Sequence, residues 1–575
     1  LDKKFGEKWK PLSATLKSKP IDLFGDIEET MLHQLQIIWQ EAFEWTYYDE
    51  VLTGIKLQKQ EIVYSHSKSF QALFCIDDRE SSMRRYLEQL DNDCETFSTP
   101  GFFGVEFFYK PENGKFLTKL CPAPVTPKYL IKETGNSDKR EKDLHFTKRS
   151  HSLIWGYLIS QTLGFWSAFK LFFNIFRPSM SPATASSFKH MDQFSKLTIE
   201  NKNIHHKKHD LQVGFTLEEM ADRVEAVLKS IGMVKDFAPL VYTVGHGSSS
   251  VNNPHYAAYD CGACSGRPGS VNARVFSFMA NHTKVREILN SRGLVIPETT
   301  VFMGALHDTT RDDIVFFDED LLQDGHHKLH LQHKATFNKA LDLNAKERSR
   351  RFASIKTDKT PQKIHELVRR RSVSLFEPRP ELNHATNALC IVGRASLSKG
   401  LFLDRRAFLN SFDYQIDPSG KYLFNILKAA APVCGGINLE YFFSRVDNHR
   451  LGAGTKLPHN VIGLFGVANG IDGDLRPGLP SQMIEVHDPL RLLIIVEHFN
   501  DVVLSTIQKS PETYEWFNNE WVHLVAVNPE TYELSVFKDG GFEPYTTMKD
   551  NLDFVPDIAP VLESSEDNLP VFLIG

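Results

Sequence analysis

Phe70-Gln71-Ala72-Leu73-Phe74-Cys75-Ile76-Asp77-Asp78-Arg79, followed by Glu80-Ser81-Ser82-Met83-Arg84-Arg85-Tyr86-Leu87-Glu88-Gln89-Leu90, joins a short apolar run to a charged stretch. The apolar run predicts a strand and residues 80–90 predict a helix. The loop between them then lies at the carboxyl end of a strand, where open α/β sheets place their sites. Continued as extended chain, residues 75, 77 and 79 project to one side, bringing a thiolate, a carboxylate and a guanidinium together. A thiolate suits zinc, and a carboxylate can occupy or vacate a coordination position. A neighbouring arginine can compete for that carboxylate through paired hydrogen bonds.

Outward from this unit the chain reads as six segments. Residues 1–64 form an N-terminal helical segment, with Ile27, Met31, Leu35 and Ile38 at helical spacing. Residues 65–130 are the first half of a metal-binding α/β core, 131–210 a helical insertion with an apolar segment, and 211–333 the second half of the core. Residues 334–372 are a charged helical segment ending near Arg369-Arg370-Arg371, and 373–575 a C-terminal α/β region. Within these, 217–231 reads as an amphipathic helix and 271–289 as one further helix. Residues 239–244, 300–306, 314–317, 492–496 and 521–527 read as strands. Helices alternating with apolar strands predict an α/β fold, a mixed and largely parallel sheet flanked by helices.

Composition narrows the class. The 575 residues are long enough for a large core, and the net charge, 66 − 72 = −6, argues against a dedicated nucleic-acid binder. Seven scattered cysteines form no paired framework, so a reducing, cytoplasmic setting is expected. No charged-then-apolar leader follows Leu1, so no secretory signal is expected. Residues 152–169 run without a charge, at the lower edge of membrane-spanning length; Ser152, Ser160, Gln161, Thr162 and Ser167 dilute them. A buried or partner-facing helix is the expectation.

The remaining ligands come from a second motif. Val244-Gly245-His246-Gly247-Ser248-Ser249-Ser250 sets a histidine at a strand end in a Gly/Ser loop, and Asp260-Cys261-Gly262-Ala263-Cys264 follows. With Cys75 and Asp77 these supply two thiolates, an imidazole and a carboxylate, a set that suits zinc better than calcium or magnesium. Alternatives stand at each position. His255 competes with His246, and Cys264 with Cys261; Cys75 can be a small core residue and the Cys261–Cys264 pair a redox motif. His307-Asp308 is a further candidate for orientation or proton transfer, and Glu485 and His487 alternate on an expected strand. His205-His206-Lys207-Lys208-His209 reads as a solvated basic loop.

Together the Cys75–Asp77–Arg79 cluster, 245–255, Asp260-Cys261-Gly262-Ala263-Cys264 and the later block 436–480 resemble the DabA family. These are the large soluble subunits of bacterial Dab-type inorganic-carbon transporters. The resemblance spans most of residues 65–500 and implies a distant relation to β-carbonic anhydrases, with their Cys–x–Asp–x–Arg and His–x–x–Cys metal pattern. It implies zinc (Zn2+) held by Cys75, His246 and Cys261, Asp77 as the exchangeable fourth ligand, and Arg79 as its partner. The wide spacing from His246 to Cys261 departs from the anhydrase pattern.

The resemblance further implies a proton-channel-like membrane partner, DabB, and peripheral attachment at the cytoplasmic face of the bacterial inner membrane. It also implies N-terminal sequence beyond Leu1. The expected reaction is carbonic-anhydrase-like hydration of CO2 to bicarbonate, coupled through the partner to the proton motive force. Asp77 and Arg79 are its expected catalytic residues. The alternatives are a structural zinc module of a membrane complex and a metallohydrolase.

Overall fold

Gln71–Cys75 is buried at every position and Leu240–Gly247 likewise, the mark of strands covered on both faces. In the computed structural model these strands lie side by side. It describes residues 30–58, 68–112, 116–135, 152–176, 195–202, 207–249, 260–374, 377–458, 461, 478–564 and 566–575. The chain divides into two units, Leu1–Tyr47 and Tyr48–Gly575. What is described of the first is the leading part of helix Met31–Leu57, where Met31, Leu32, Ile38 and Trp39 are exposed.

The second unit holds the α/β body. Its first sheet runs in the order Asp313–Phe316, Val301–Asp308, Leu240–Gly247, Gln71–Cys75, Glu95–Thr99. All pairings are parallel except the edge pair of Val301–Asp308 with Asp313–Phe316. From Gln71–Cys75 the chain winds outward to Glu95–Thr99. From Leu240–Gly247 it winds the opposite way to Val301–Asp308. The border between the two central strands is therefore a topological switch point, and its carboxyl end opens a crevice.

Helices cover both faces. Leu73, Val241 and Phe302 share an apolar cluster with Val271, Val275 and Phe276 of helix Ser270–Asn281. Ala72, Phe74, Tyr242 and Val244 cluster with Phe337, Ala340 and Leu341 of helix Asp324–Ser349. Each fully buried side chain of this kind contributes about 1.5–3 kcal/mol. Helix Leu217–Ser230 opens with a reciprocal cap between Thr216 and Glu219.

A second sheet orders Ala407–Ser411, Leu389–Gly393, Leu493–Glu497, His523–Val527, Leu534–Lys538 and Gly541–Tyr545. Its first four strands are parallel and the rest antiparallel. It meets the first sheet where the Leu409 amide donates to the Ile76 carbonyl at 3.1 Å and the Ser98 amide to Ser411 Oγ at 2.9 Å. The mixed, largely parallel α/β class expected from the sequence is the class observed.

Two local expectations differ and a third is narrowed. Residues 271–289 are two helices, Ser270–Asn281 and Thr283–Ser291, because His282 is extended between them. The Asn281 side chain pairs with both the amide and the carbonyl of Phe302 and holds the break. Glu485 and His487 do not alternate on a strand: they follow the short helix Ser481–Ile484. Glu485 pairs there with Arg379, and His487 Nδ1 lies 3.0 Å from the Ala385 carbonyl. The uncharged stretch forms helix Leu153–Phe176, whose Leu153, Ile154, Trp155, Phe165 and Trp166 are exposed, so of the expected buried or partner-facing helix only the buried alternative is excluded. Among the described residues no helix is long and apolar enough to cross a membrane.

Candidate metal centre

Strand Gln71–Cys75 ends at Cys75, and helix Asp78–Leu90 begins three residues on with Asp77 as its N-cap. Residues 75, 77 and 79 therefore do not alternate along a strand. Arg79 lies in the first helical turn, and a compact cap brings it onto Asp77. The Arg79 amide donates to Asp77 Oδ1 at 3.1 Å, Nε to the same oxygen at 2.8 Å, and Nη2 to Oδ2 at 2.9 Å. Both carboxylate oxygens are held in one fork.

Across the switch point, His246 lies near the end of Leu240–Gly247. Cys261 arrives from a tight turn in which Gly266 donates to the Cys261 carbonyl at 3.0 Å, and the Gly269 amide ties the segment to the His246 carbonyl at 2.9 Å. A ligand atom from each of Cys75, His246 and Cys261 lies within 4.8 Å of the other two, and all three residues are buried. Asp77 Oδ2 is 3.4 Å from His246 Nε2. The structure thus gathers Cys75, His246 and Cys261, with the Asp77–Arg79 pair alongside.

The other candidates fall out differently. Cys264 is buried next to the group, but its sulfur lies 3.5 Å from the Gly101 carbonyl and 3.7 Å from Asn272 Oδ1, and it is not part of the convergent trio. His255 lies outside the described residues, as do His205 and His206. His307 is register-paired with His246 on the adjacent strand but turns to Glu80, 2.9 Å away, and Asp312, 3.5 Å away. Asp308 accepts from the Ser249 hydroxyl and amide.

Electrostatics say what the trio needs. Neither imidazole nitrogen of His246 has a hydrogen-bond partner among the described residues, in a position fully out of water. The Cys261 sulfur beside Cys75, and then burial, push the Cys75 thiol well up. The Cys264 contact likewise raises Cys261. Burial opposes a charge on His246, yet Asp77 and Cys75 together raise it to about 9. The cluster draws positive charge to its centre, and two sulfurs with one imidazole fit a borderline-soft cation. Burial also works to raise Asp77, but the Arg79 guanidinium overcomes it and holds the carboxyl well below its usual range.

Three contributors escaped the sequence reading. Gly101 is a steric requirement: a Cβ built there would lie 2.8 Å from the Cys261 sulfur and 2.9 Å from the Cys75 sulfur. Only glycine lets the two sulfurs converge. Glu381, from the segment before the second sheet, takes Arg79 Nη1 at 2.8 Å and is buried. His384 binds Asp78 at 2.5 Å and lies 3.8 Å from Asp77. The only sequence signals were the Gly in Pro100-Gly101 and the acid and imidazole of Glu381-Leu382-Asn383-His384.

Against known proteins, the family model described as "Probable inorganic carbon transporter subunit DabA" matches residues 13–522. A curated protein of that name from Azotobacter vinelandii is 60% identical over 575 residues, covering 100% of this chain and 68% of the relative. One from Nitrosospira multiformis is 56% identical over 591 residues, covering 100% and 65%. "Probable inorganic carbon transporter subunit DabA 2" from Sorangium cellulosum is 39% identical over 574 residues, covering 96% and 55%. The chain spans 68% and 65% of the length of the first two relatives and 55% of the third. No solved structure matches the chain.

Proposed function

The chain belongs to the DabA family, and from that premise we propose that it serves inorganic carbon transport as the subunit in which CO2 becomes bicarbonate. One observation carries this reading: Cys75, His246 and Cys261, drawn from segments far apart in sequence, converge in a buried cluster. Those three residues would hold a zinc ion. Bound there, zinc would act as a Lewis acid that makes water acidic enough to supply hydroxide near neutral pH.

The protein's own groups do the rest. Arg79 keeps Asp77 ionised and orients it beside His246, so the carboxylate is an acceptor fixed at the edge of the site. Glu381 anchors the far side of the Arg79 guanidinium, which prevents the fork from turning away. Were that fork to loosen, Asp77 would be free to act as the exchangeable fourth ligand and close the site. The Asp78–His384 pair, 3.8 Å from Asp77, gives the proton released by hydration a nearby acceptor.

Removal of that proton through a membrane subunit, DabB in the family's scheme, would couple the reaction to the proton motive force. The exposed apolar helix Leu153–Phe176 supports peripheral docking on such a partner at the cytoplasmic face of the inner membrane.

The test is exchange of labelled oxygen between CO2 and water by the assembled complex, run beside metal analysis of the same preparations. Asp77→Ala and Arg79→Ala are expected to retain zinc and lose exchange. Exchange that persists in both variants would refute the catalytic reading and leave a structural zinc module.

A further inference from the structure

On the later turns of helix Asp78–Leu90, beyond the residues that face the metal centre, a cavity of about 200 Å³ is lined by Arg84, Glu88, Thr96, Lys399, Asp404 and Arg405. Its acids are already committed. Glu88 accepts from the Thr96 amide at 3.2 Å and from its hydroxyl at 2.5 Å. Asp404 is paired with Arg350 and Arg351 and accepts from the Leu569 amide at 2.9 Å.

Its bases are not. Arg84, buried, donates only to neutral oxygens: Thr96 Oγ1 at 2.9 Å, Ser98 Oγ at 2.8 Å and the Thr96 carbonyl at 3.3 Å. Arg405 is 3% exposed, its Nη2 sealed from solvent, and its guanidinium makes no hydrogen bond or ion pair with any described residue. Lys399 is exposed beside them. Arg84 has the carboxylates of Glu88 and Glu80 near it, but a guanidinium such as that of Arg405, taken out of water with no direct counter-charge, is costly unless a ligand completes it.

We propose that this cavity binds a small divalent oxyanion of the phosphate class, with Arg405 as the principal contact, Arg84 as a second cation and Lys399 in support. The unpartnered Arg405 guanidinium can meet the oxygens of a tetrahedral dianion in paired hydrogen bonds, Arg84 adds positive charge beside it, and the volume admits inorganic phosphate or a small phosphate ester. The site stands apart from the metal reading and adds to it. Leu409, which also lines the cavity, donates its amide to the carbonyl of Ile76, the residue after Cys75.

The test is calorimetric titration of the full chain with inorganic phosphate at pH 8, in wild type, Arg405→Gln, Lys399→Ala and Cys261→Ser. One saturable site is expected, weakened tenfold or more in Arg405→Gln and a few-fold in Lys399→Ala, and unchanged in Cys261→Ser. Lys399 is exposed, so its variant decides the matter should Arg405→Gln fail to fold. The absence of saturable binding overturns the proposal. So does wild-type affinity in both cavity variants, or loss of binding in Cys261→Ser, which would put phosphate at the metal centre. Equal competition by acetate or bicarbonate at the same concentration overturns the dianion assignment.

Discussion

In the sheet around Gln71–Cys75, the switch-point strands present a thiol and an imidazole with neither nitrogen hydrogen-bonded among the described residues. In the sheet around Leu389–Gly393, strand Leu493–Glu497 ends in a carboxylate that accepts from the Arg394 amide at 2.8 Å and its Nε at 2.9 Å. Both sheets are parallel at their centres and covered by helices. One leaves an imidazole without a hydrogen-bond partner among the described residues at its carboxyl edge, and the other closes its terminal carboxylate with an arginine. Buried charged groups are normally paired, so the unpartnered imidazole beside two sulfurs points to a ligand, and the closed Arg394–Glu497 pair points to a frame. The frame still serves the site, since the segment leading into it supplies Glu381 and His384.

The largest expected effect separates the two edges by metal content. Purified wild type is expected to carry about one zinc per chain. His246→Ala and Cys261→Ser are expected to fall below a tenth of the wild-type content, while Glu497→Gln retains all of it. Zinc retained in both ligand variants would erase the contrast. Next in size is the loss of a buried cation. Arg79→Ala leaves Asp77 and Glu381 buried without their partner, at a cost of about 3–5 kcal/mol, read by denaturant unfolding. Arg394→Ala leaves Glu497 in the same position and is expected to lower stability without touching zinc or oxygen exchange.

A smaller effect is steric. Gly101→Ala drives a methyl group against both sulfurs and is expected to destabilise by about 1–3 kcal/mol while weakening zinc at least tenfold in competition with a chelator. The remaining contrast is in pH. Burial lowers His487, in the frame, to about 4. The unfolded chain therefore takes up a proton that the fold refuses, and stability falls as pH drops from about 6.5 toward 4, by on the order of 3 kcal/mol. His307, beside the site, goes the other way: burial opposes its charge, but Glu80 and Asp312 raise it to about 10. Its contribution is complete below about pH 6.5 and is lost as pH rises toward 10. Unfolding midpoints of His487→Asn and His307→Gln across pH 4–10 should flatten opposite limbs of the profile.

Much of the frame was legible because its signals are local. The buried strand before Cys75, the helix after it, and the capped helix from Leu217 each follow from periodicity and end residues. The 271–289 stretch misled because its apolar spacing continues through His282, while the break is fixed by Asn281 gripping a neighbouring strand. Asp77 and Arg79 were paired correctly for the wrong geometric reason, a helix cap in place of strand alternation. Glu381 and His384 showed in the sequence only as an acid and an imidazole three positions apart, because each acts only through a partner about 300 positions earlier in the chain.

By itself the sequence determined the residue types: a thiol at the end of one strand, an imidazole near the end of another, and an acid–arginine pair two residues apart, all fixed by local covalent order. Tertiary structure decided which of them meet. The opposite winding of the chain from two adjacent parallel strands sets Cys75 and His246 across one crevice, and a missing side chain at Gly101 lets Cys261 close on them. No local pattern encodes that convergence, because it depends on packing between segments that adjoin only after the sheet has formed.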